Sequence, residues 1–332
     1  MGVSLVRIGI VGCGQAARVH LDRLLAEAEV TIVGCADPDP TAARALADRA
    51  ESLGLGPVPE FGDHRELLRQ TSPDALAIFT PHRLHYRTAM DALQAGAHVF
   101  IEKPLSTNLQ EAADIVALAR ARGRKVGVGH QYRLAPALVE GRRRLSAGVI
   151  GPLRLVIATL ARPWLTEIGR AEDAWRFEPD ADGGGILADV GDHLVDALLW
   201  TTGQVAHEVG AIQDRRGPGI DVVTAAAIRL ADGTPATLAI SGVSPGPLFS
   251  IEYFGERGRL RATDESLVED RPGAQAVEVA LPPPGRSVDG DFIAALRCEG
   301  PLGCPAEEAL DTVRLLEAIA RSAATRQVVR LV

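Results

Sequence analysis

The stretch that most constrains this chain is "LVRIGIVGCGQAARVHLD", residues 5–22. Its first seven residues are mostly branched and apolar, then break at Gly12; from Gln15 onward the apolar residues fall at helical spacing. A strand that ends in a glycine turn and runs into a helix commits the next strand to lie parallel, because the helix must cross the sheet. The first third of the chain repeats that unit. "VTIVGCAD" (30–37), "DALAIFT" (74–80), "HVFIE" (98–102) and "KVGVGH" (125–130) read as strands, separated by helical runs. One of these starts at Asp39-Pro40 and another ends on Gly123, good start and stop residues. The expectation is an α/β, doubly wound parallel sheet over residues 1–127.

Past residue 130 the rhythm changes. "LRLVIATLAR" (153–162), "TAAAIRLADGTPATLAISG" (224–242) and "SIEYFGERGRLRAT" (250–263) read as strands, with Asp232-Gly233 and Gly255 to Gly258 as turns between paired runs. This predicts a second, α+β domain over 128–332 with an open, mostly antiparallel sheet, closed by an amphipathic helix at 305–327.

Charge narrows the function classes. There are 35 basic and 43 acidic residues, a net charge of −8, and the basic residues are scattered, so no nucleic-acid partner is expected. "GRRRLS" (141–146) reads as a solvated helix face. No run approaches the roughly 18 apolar residues of a membrane span, and no signal peptide is apparent, so a cytoplasmic protein without membrane contact is expected. Cys13, Cys35, Cys298 and Cys304 lack metal spacing; reduced thiols are the default, a Cys298–Cys304 pair the alternative.

Chemistry enters at three places. Gly12, Gly14 and Ala17 fit G-x-G-x-x-A between a strand and a helix. Gly12 permits the tight turn, Gly14 lets backbone approach a pyrophosphate, and Gln15 and Ala16 open a helix whose N-terminus faces the anion. Asp37 ends the second strand 23 residues after Gly14, where a ribose-binding acid belongs. Its carboxylate accepts from ribose hydroxyls and repels a 2′-phosphate, and Asp39 adds charge, so NAD is favoured over NADP; Arg44 leaves NADP open.

The second place is "VFIEKPLS" (99–106). Only two of the 35 basic residues are lysines, Lys103 and Lys125. Lys103 stands where a parallel strand ends at the ligand crevice, and Pro104 forces it into extended backbone. An amine, unlike a guanidinium, can lose its proton when desolvated. It serves a proton relay, or it pairs with Glu102 or another acid. The third place is "GGGILADVGDHLVD" (183–196). If helical from Leu187, it puts Asp189, His193 and Asp196 on one face, where a carboxylate fixes the histidine tautomer for general-base work. Asp/His/Asp is also a donor set for a divalent ion, but a nearby lysine would repel one, so no metal is expected. Trp164 and Trp175 serve either a sugar ring or the core.

In order along nearly the whole chain, "GIVGCGQAARVH", "ADPDP", "TPHRLHYRTAMDALQAGAHVFIEKPLSTN" and "GGGILADVGDHLVD" resemble the glucose–fructose oxidoreductase / inositol dehydrogenase (Gfo/Idh/MocA) family. The resemblance implies a Rossmann domain for the cofactor and a second domain whose sheet face meets the substrate. It maps catalytic roles onto Lys103, Asp189 and His193. It places Thr80, Pro81, His85, Glu102 and Lys103 near the nicotinamide end, and Tyr132, Arg133, Trp175, Asp189 and His193 near the substrate. It also implies a cis Lys103–Pro104 bond. In "GHQYRLAP" (129–136), His130 and Gln131 depart from the family pattern. The implied reaction is hydride transfer between a ring hydroxyl of a sugar, sugar derivative or cyclitol and NAD, in a homo-oligomer. Cofactor-recycling and NAD-retaining glycoside-processing enzymes share the pattern, and a non-catalytic dinucleotide sensor is the remaining alternative.

Overall fold

A computed structural model describes residues 5–167, 184–215 and 219–331. The chain forms two compact units, 1–129 with 286–310, and 130–285 with 311–332.

In the first unit, β1 (Val6–Val11), β2 (Val30–Ala36), β3 (Glu60–Phe61), β4 (Ala75–Ile78), β5 (His98–Ile101) and β6 (Val126–Val128) form one sheet in the order β3-β2-β1-β4-β5-β6. Every pairing is parallel. The order reverses at β1, which leaves a crevice beyond the strand ends. The crossover helices are α1 (Gln15–Leu25), α2 (Pro40–Ser52), α3 (His64–Thr71), α4 (His85–Gln94) and α5 (Leu109–Arg122). Their ends follow local chemistry. Asp39 accepts the Thr41 amide ahead of Pro40, and Asn108 accepts the Glu111 amide. Buried on both faces, the central strand β4 reads as an unbroken apolar run. The segment 286–310, which a linear division places with the second half, belongs to this unit. It carries a helix at Val288–Leu296, and the Cys304 carbonyl accepts the Val128 amide.

The second unit opens with α6 (Pro136–Ser146). A nine-stranded sheet follows, from β7 (Leu153–Ala161), β8 (Ala206–Asp214), β9 (Val223–Leu230), β10 (Pro235–Ser241), β11 (Leu248–Gly255), β12 (Gly258–Ala262), β13 (Leu267–Asp270), β14 (Val277–Glu278) and β15 (Val329–Arg330). Only β7 and β10 pair in parallel; the other neighbours are antiparallel, including the expected hairpins at Asp232-Gly233 and Gly255 to Gly258. Alternation along β9 and β10 buries Thr224, Ala226, Ile228, Ala236, Leu238 and Ile240 on one face. Against that face packs a wide helical turn, Leu187–Gly191, continuing into α7 (Asp192–Thr202) through Leu194, Val195, Ala197 and Leu198. The last helix, α9 in chain order after α8 (the Val288–Leu296 helix), runs Ala306–Thr325. No helix among the described residues is long and apolar enough to cross a membrane, and no disulfide joins Cys13, Cys35, Cys298 or Cys304. The arginine run is a helix face: Arg143 and Arg144 both bond Glu140, holding its carboxyl down at about 2.

Candidate active site

The first unit gathers the cofactor-side residues. Gly12 has φ +83°, and a Cβ there would lie 2.7 Å from the Phe79 carbonyl carbon, so only glycine fits. At Gly14 a Cβ would meet nothing within 4 Å, so the backbone is open on that side. Gly14, Gln15 and Ala16 are exposed where α1 begins, and among the described residues no side chain caps that helix. Its first N–H groups are therefore available to a phosphate. Asp37 is half-buried; its carboxylate accepts the Cys13 amide at 2.8 Å and the Asp39 amide at 2.9 Å, which fixes it beside the glycine turn. This cradle fits a dinucleotide: a glycine turn, an open helix start and a fixed acid at the next strand's end.

Thr80, Pro81 and His85 lie just past β4, and the Lys103–Pro104 peptide past β5 is cis. The His85 ring ties the two segments together. Its Nδ1 is 2.7 Å from the Pro104 carbonyl oxygen and its Nε2 is 3.0 Å from that of Thr80. Burial, the largest influence, holds this ring below the usual histidine value against those carbonyls. His85 is wholly buried and ties the Thr80 loop to the Lys103–Pro104 loop. Lys103 is 9% exposed.

In the second unit, His193 and Tyr132 meet edge to face, ring centroids 5.2 Å apart, and Tyr132 stacks on Phe249 at 4.4 Å. They line a cleft of about 310 Å³ with Leu160, Arg162, Asp264 and Glu265. Burial, helped by Asp264, raises the Tyr132 hydroxyl above its ordinary value. Asp189 accepts the Trp164 indole N–H at 2.8 Å. Trp164 is 1% exposed, so it is a core residue that orients Asp189. Trp175 lies outside the described residues.

Two expectations change. Arg133 does not line the Tyr132–His193 cleft. It is 3% exposed and grips Asp196 with two nitrogens, at 2.9 and 2.7 Å. Asp196 is likewise buried, accepting also from Thr312, with His130 Nδ1 at 3.1 Å, so its carboxylate is committed to these partners. Burial works against the Asp196 charge, but His130 and Arg133 hold the carboxyl below the usual range. Burial likewise works against the His130 cation, but Asp196 and Asp192 hold that histidine above its usual value. The physical reason is the face Asp196 occupies: it stands one turn after Asp192, and both carboxylates lie against His130, while the wide turn at Leu187–Gly191 shifts Asp189 out of the 3.6-residue register assumed from Leu187 onward. His130, a departure from the family pattern, is thus a core group 1% exposed. Sequence reading missed Arg162, Asp264 and Glu265, which lie just past strand ends with no local signature.

Comparison with known proteins accords with this geometry. The GFO/IDH/MocA family model, described as an oxidoreductase family with an NAD-binding Rossmann fold, matches residues 6–130, and the GFO/IDH/MocA C-terminal domain matches 139–261. The chain is 32% identical over 343 residues to dTDP-3,4-didehydro-2,6-dideoxy-alpha-D-glucose 3-reductase of Streptomyces antibioticus, covering 97% of this chain and 98% of that protein. It is 28% identical over 204 residues to D-glucoside 3-dehydrogenase of Escherichia coli (strain K12), covering 61% of this chain and 56% of that one. The WlbA dehydrogenase of Bordetella pertussis, solved with NADH and UDP-GlcNAcA, superposes with a TM-score of 0.84 at 25% identity over 98% of this chain and 99% of that chain. The chain belongs to the GFO/IDH/MocA oxidoreductase family. It is an oxidoreductase with an NAD-binding Rossmann domain.

Proposed function

We propose that the protein transfers a hydride between NAD and a ring hydroxyl of a sugar, sugar derivative or cyclitol. The observation that carries this reading is the cleft of the second unit: an aromatic wall at Tyr132 and Phe249, a histidine at one side, and Arg162, Asp264 and Glu265 offering donors and acceptors of both signs. That mixture suits a ring bearing several hydroxyls better than a flat apolar ligand. Relatives named for glucoside and dTDP-sugar chemistry support it.

Bound NAD would supply the acceptor for the hydride of the carbinol carbon. His193 acts as general base, a role worth about 10²–10⁴-fold. Lys103 stabilises the developing alkoxide, its amine taking the hydroxyl proton as it hands one to His193. Asp189, fixed by Trp164, orients the substrate. Asp37 receives the ribose hydroxyls, and its charge selects NAD over NADP. Gly12, Gly14, Gln15 and Ala16 cradle the pyrophosphate; Thr80, Pro81 and Glu102 line the nicotinamide end. The residues Ala225, Ala227, Thr237 and Ala239 face outward, exposed, from the sheet, and a second copy of the chain is the proposed cover for that face.

A panel of sugars, glycosides and inositols, each mixed with protein and NAD and followed at 340 nm, tests the reading. Released NADH with at least one polyol supports it. NADH that forms but stays bound points instead to a cofactor-recycling enzyme. No reduction with any polyol, given measurable NAD binding, overturns it.

A further inference from the structure

The first unit contains a buried charged histidine that the reaction above does not use. His20, on α1, is 5% exposed. Its Nδ1 lies 2.7 Å from Oδ1 of Asp289, a fully buried residue on the Val288–Leu296 helix. Its Nε2 lies 3.4 Å from Oε1 of Glu102, the residue immediately before Lys103. Stacking on Phe79, with ring centroids 4.6 Å apart, fixes the ring plane. A neutral imidazole donates its one N–H to Asp289; only the cation also sets a positive charge against Glu102. Burial pushes the ring toward neutrality, but the hydrogen bonds and charges of Asp289 and Glu102 overcome it and raise His20 to about 9. At neutral pH the ring is therefore charged. Arg23 stands 3.8 Å from the other Asp289 oxygen and adds a second positive charge on that side.

We propose that His20, anchored by Asp289, is a positioning residue for Lys103: it sets a buried positive charge against Glu102 and so limits how strongly Glu102 holds a proton on the neighbouring amine. The inference rests on the reading of Lys103 as an amine that moves a proton. Glu102 and Lys103 are consecutive, and the fields of both reach His85. An uncompensated carboxylate beside an amine favours the ammonium form; a carboxylate shared with an imidazolium favours it less. Without the histidine cation, Lys103 would give up its proton only at higher pH. Glu102 is thus the link through which a residue of α1 and a residue near position 290 act on the end of β5.

The two-lysine composition makes this measurable without a substrate. Protein labelled with carbon-13 at the lysine ε position gives one signal each for Lys103 and Lys125, assigned with Lys125→Arg. In His20→Gln, the titration midpoint of Lys103 should rise by roughly half a unit or more while Lys125 stays put. Asp289→Asn, which leaves the imidazole in place but removes its anchor, should shift Lys103 the same way by less, and it serves as the comparison if His20→Gln does not fold. In a Glu102→Gln background, adding His20→Gln should leave Lys103 unmoved. A folded His20→Gln protein with an unchanged Lys103 midpoint overturns the proposal, as does an equal shift with and without Glu102. Turnover by Lys103→Ala separates the two levels. If that variant stays active, the reading of the amine fails; if it is dead while the midpoint ignores His20, only this inference fails.

Discussion

The two units prepare their functional residues from different materials. The first unit prepares its half with backbone: a glycine at φ +83° pressed against Phe79, an exposed helix start at Gln15, and an aspartate pinned by two amides. The second unit prepares its half with side chains: a histidine against a tyrosine, the tyrosine on Phe249, and charged residues around a cleft. Backbone tolerates few residue types at a given φ or a close approach; a cleft wall tolerates many. The first half should therefore be brittle to substitution and general in ligand. The second should be tolerant in fold and particular in substrate.

The largest expected effect tests the brittle half. Gly12→Val places side-chain atoms where a Cβ alone would already be 2.7 Å from Phe79 backbone, so NAD affinity should fall at least about 100-fold, with a lower melting temperature. Gly14→Val meets no protein atom near its Cβ. It should melt like wild type and still lose NAD. Fluorescence titration beside thermal melts distinguishes the pair; equal melting losses in both would break the contrast.

Next comes His193→Asn. Turnover should fall about 100-fold or more while NAD affinity stays within about threefold, because the general base belongs to the other half. Lost NAD binding would show that the halves are not separable in this way.

Arg133 sharpens the comparison from inside the second unit. Its motif position reads as a substrate contact, yet it is a buried ion pair with Asp196. Removing one partner of such a pair strands the other charge, so Arg133→Met should cost about 3–5 kcal/mol in denaturant unfolding. Its KM should remain near wild type. A raised KM with unchanged stability would return Arg133 to the substrate.

These residues show what the sequence could and could not reveal. The parallel sheet was legible because glycine turns, Asp39-Pro40 and Gly123 carry local backbone requirements. So were the hairpins of the second sheet. The register of Asp189 was misread because nothing in "GGGILADVGDHLVD" announces a widened turn, and Asp196 was misread because its partners His130 and Arg133 lie more than 60 residues away in sequence. Arg162, Asp264 and Glu265 come together only through the sheet's register. The meeting of His20 with Asp289 spans 269 residues, a separation at which no periodicity speaks.

The smallest effect concerns the cofactor. Asp37, held beside the glycine turn, and Asp39 should make NAD bind several-fold more tightly than NADP, and Asp37→Ser should narrow the gap. Competitive titration with both dinucleotides checks this; equal affinities in the wild type would contradict it.

The most direct measurement of the central claim uses the residue at the end of β5. Arginine keeps the positive charge but does not release its proton at working pH, and its fork is larger than an ammonium. With a polyol that the wild-type protein oxidises, kcat should be measured for Lys103→Arg and Lys103→Ala, with NAD binding as the control. The two variants should be nearly equally damaged, and mainly in kcat, because the interaction strengthens as the alkoxide forms. If Lys103→Arg kept a tenth or more of wild-type kcat, a fixed charge would suffice and the amine's part in the chemistry would be wrong.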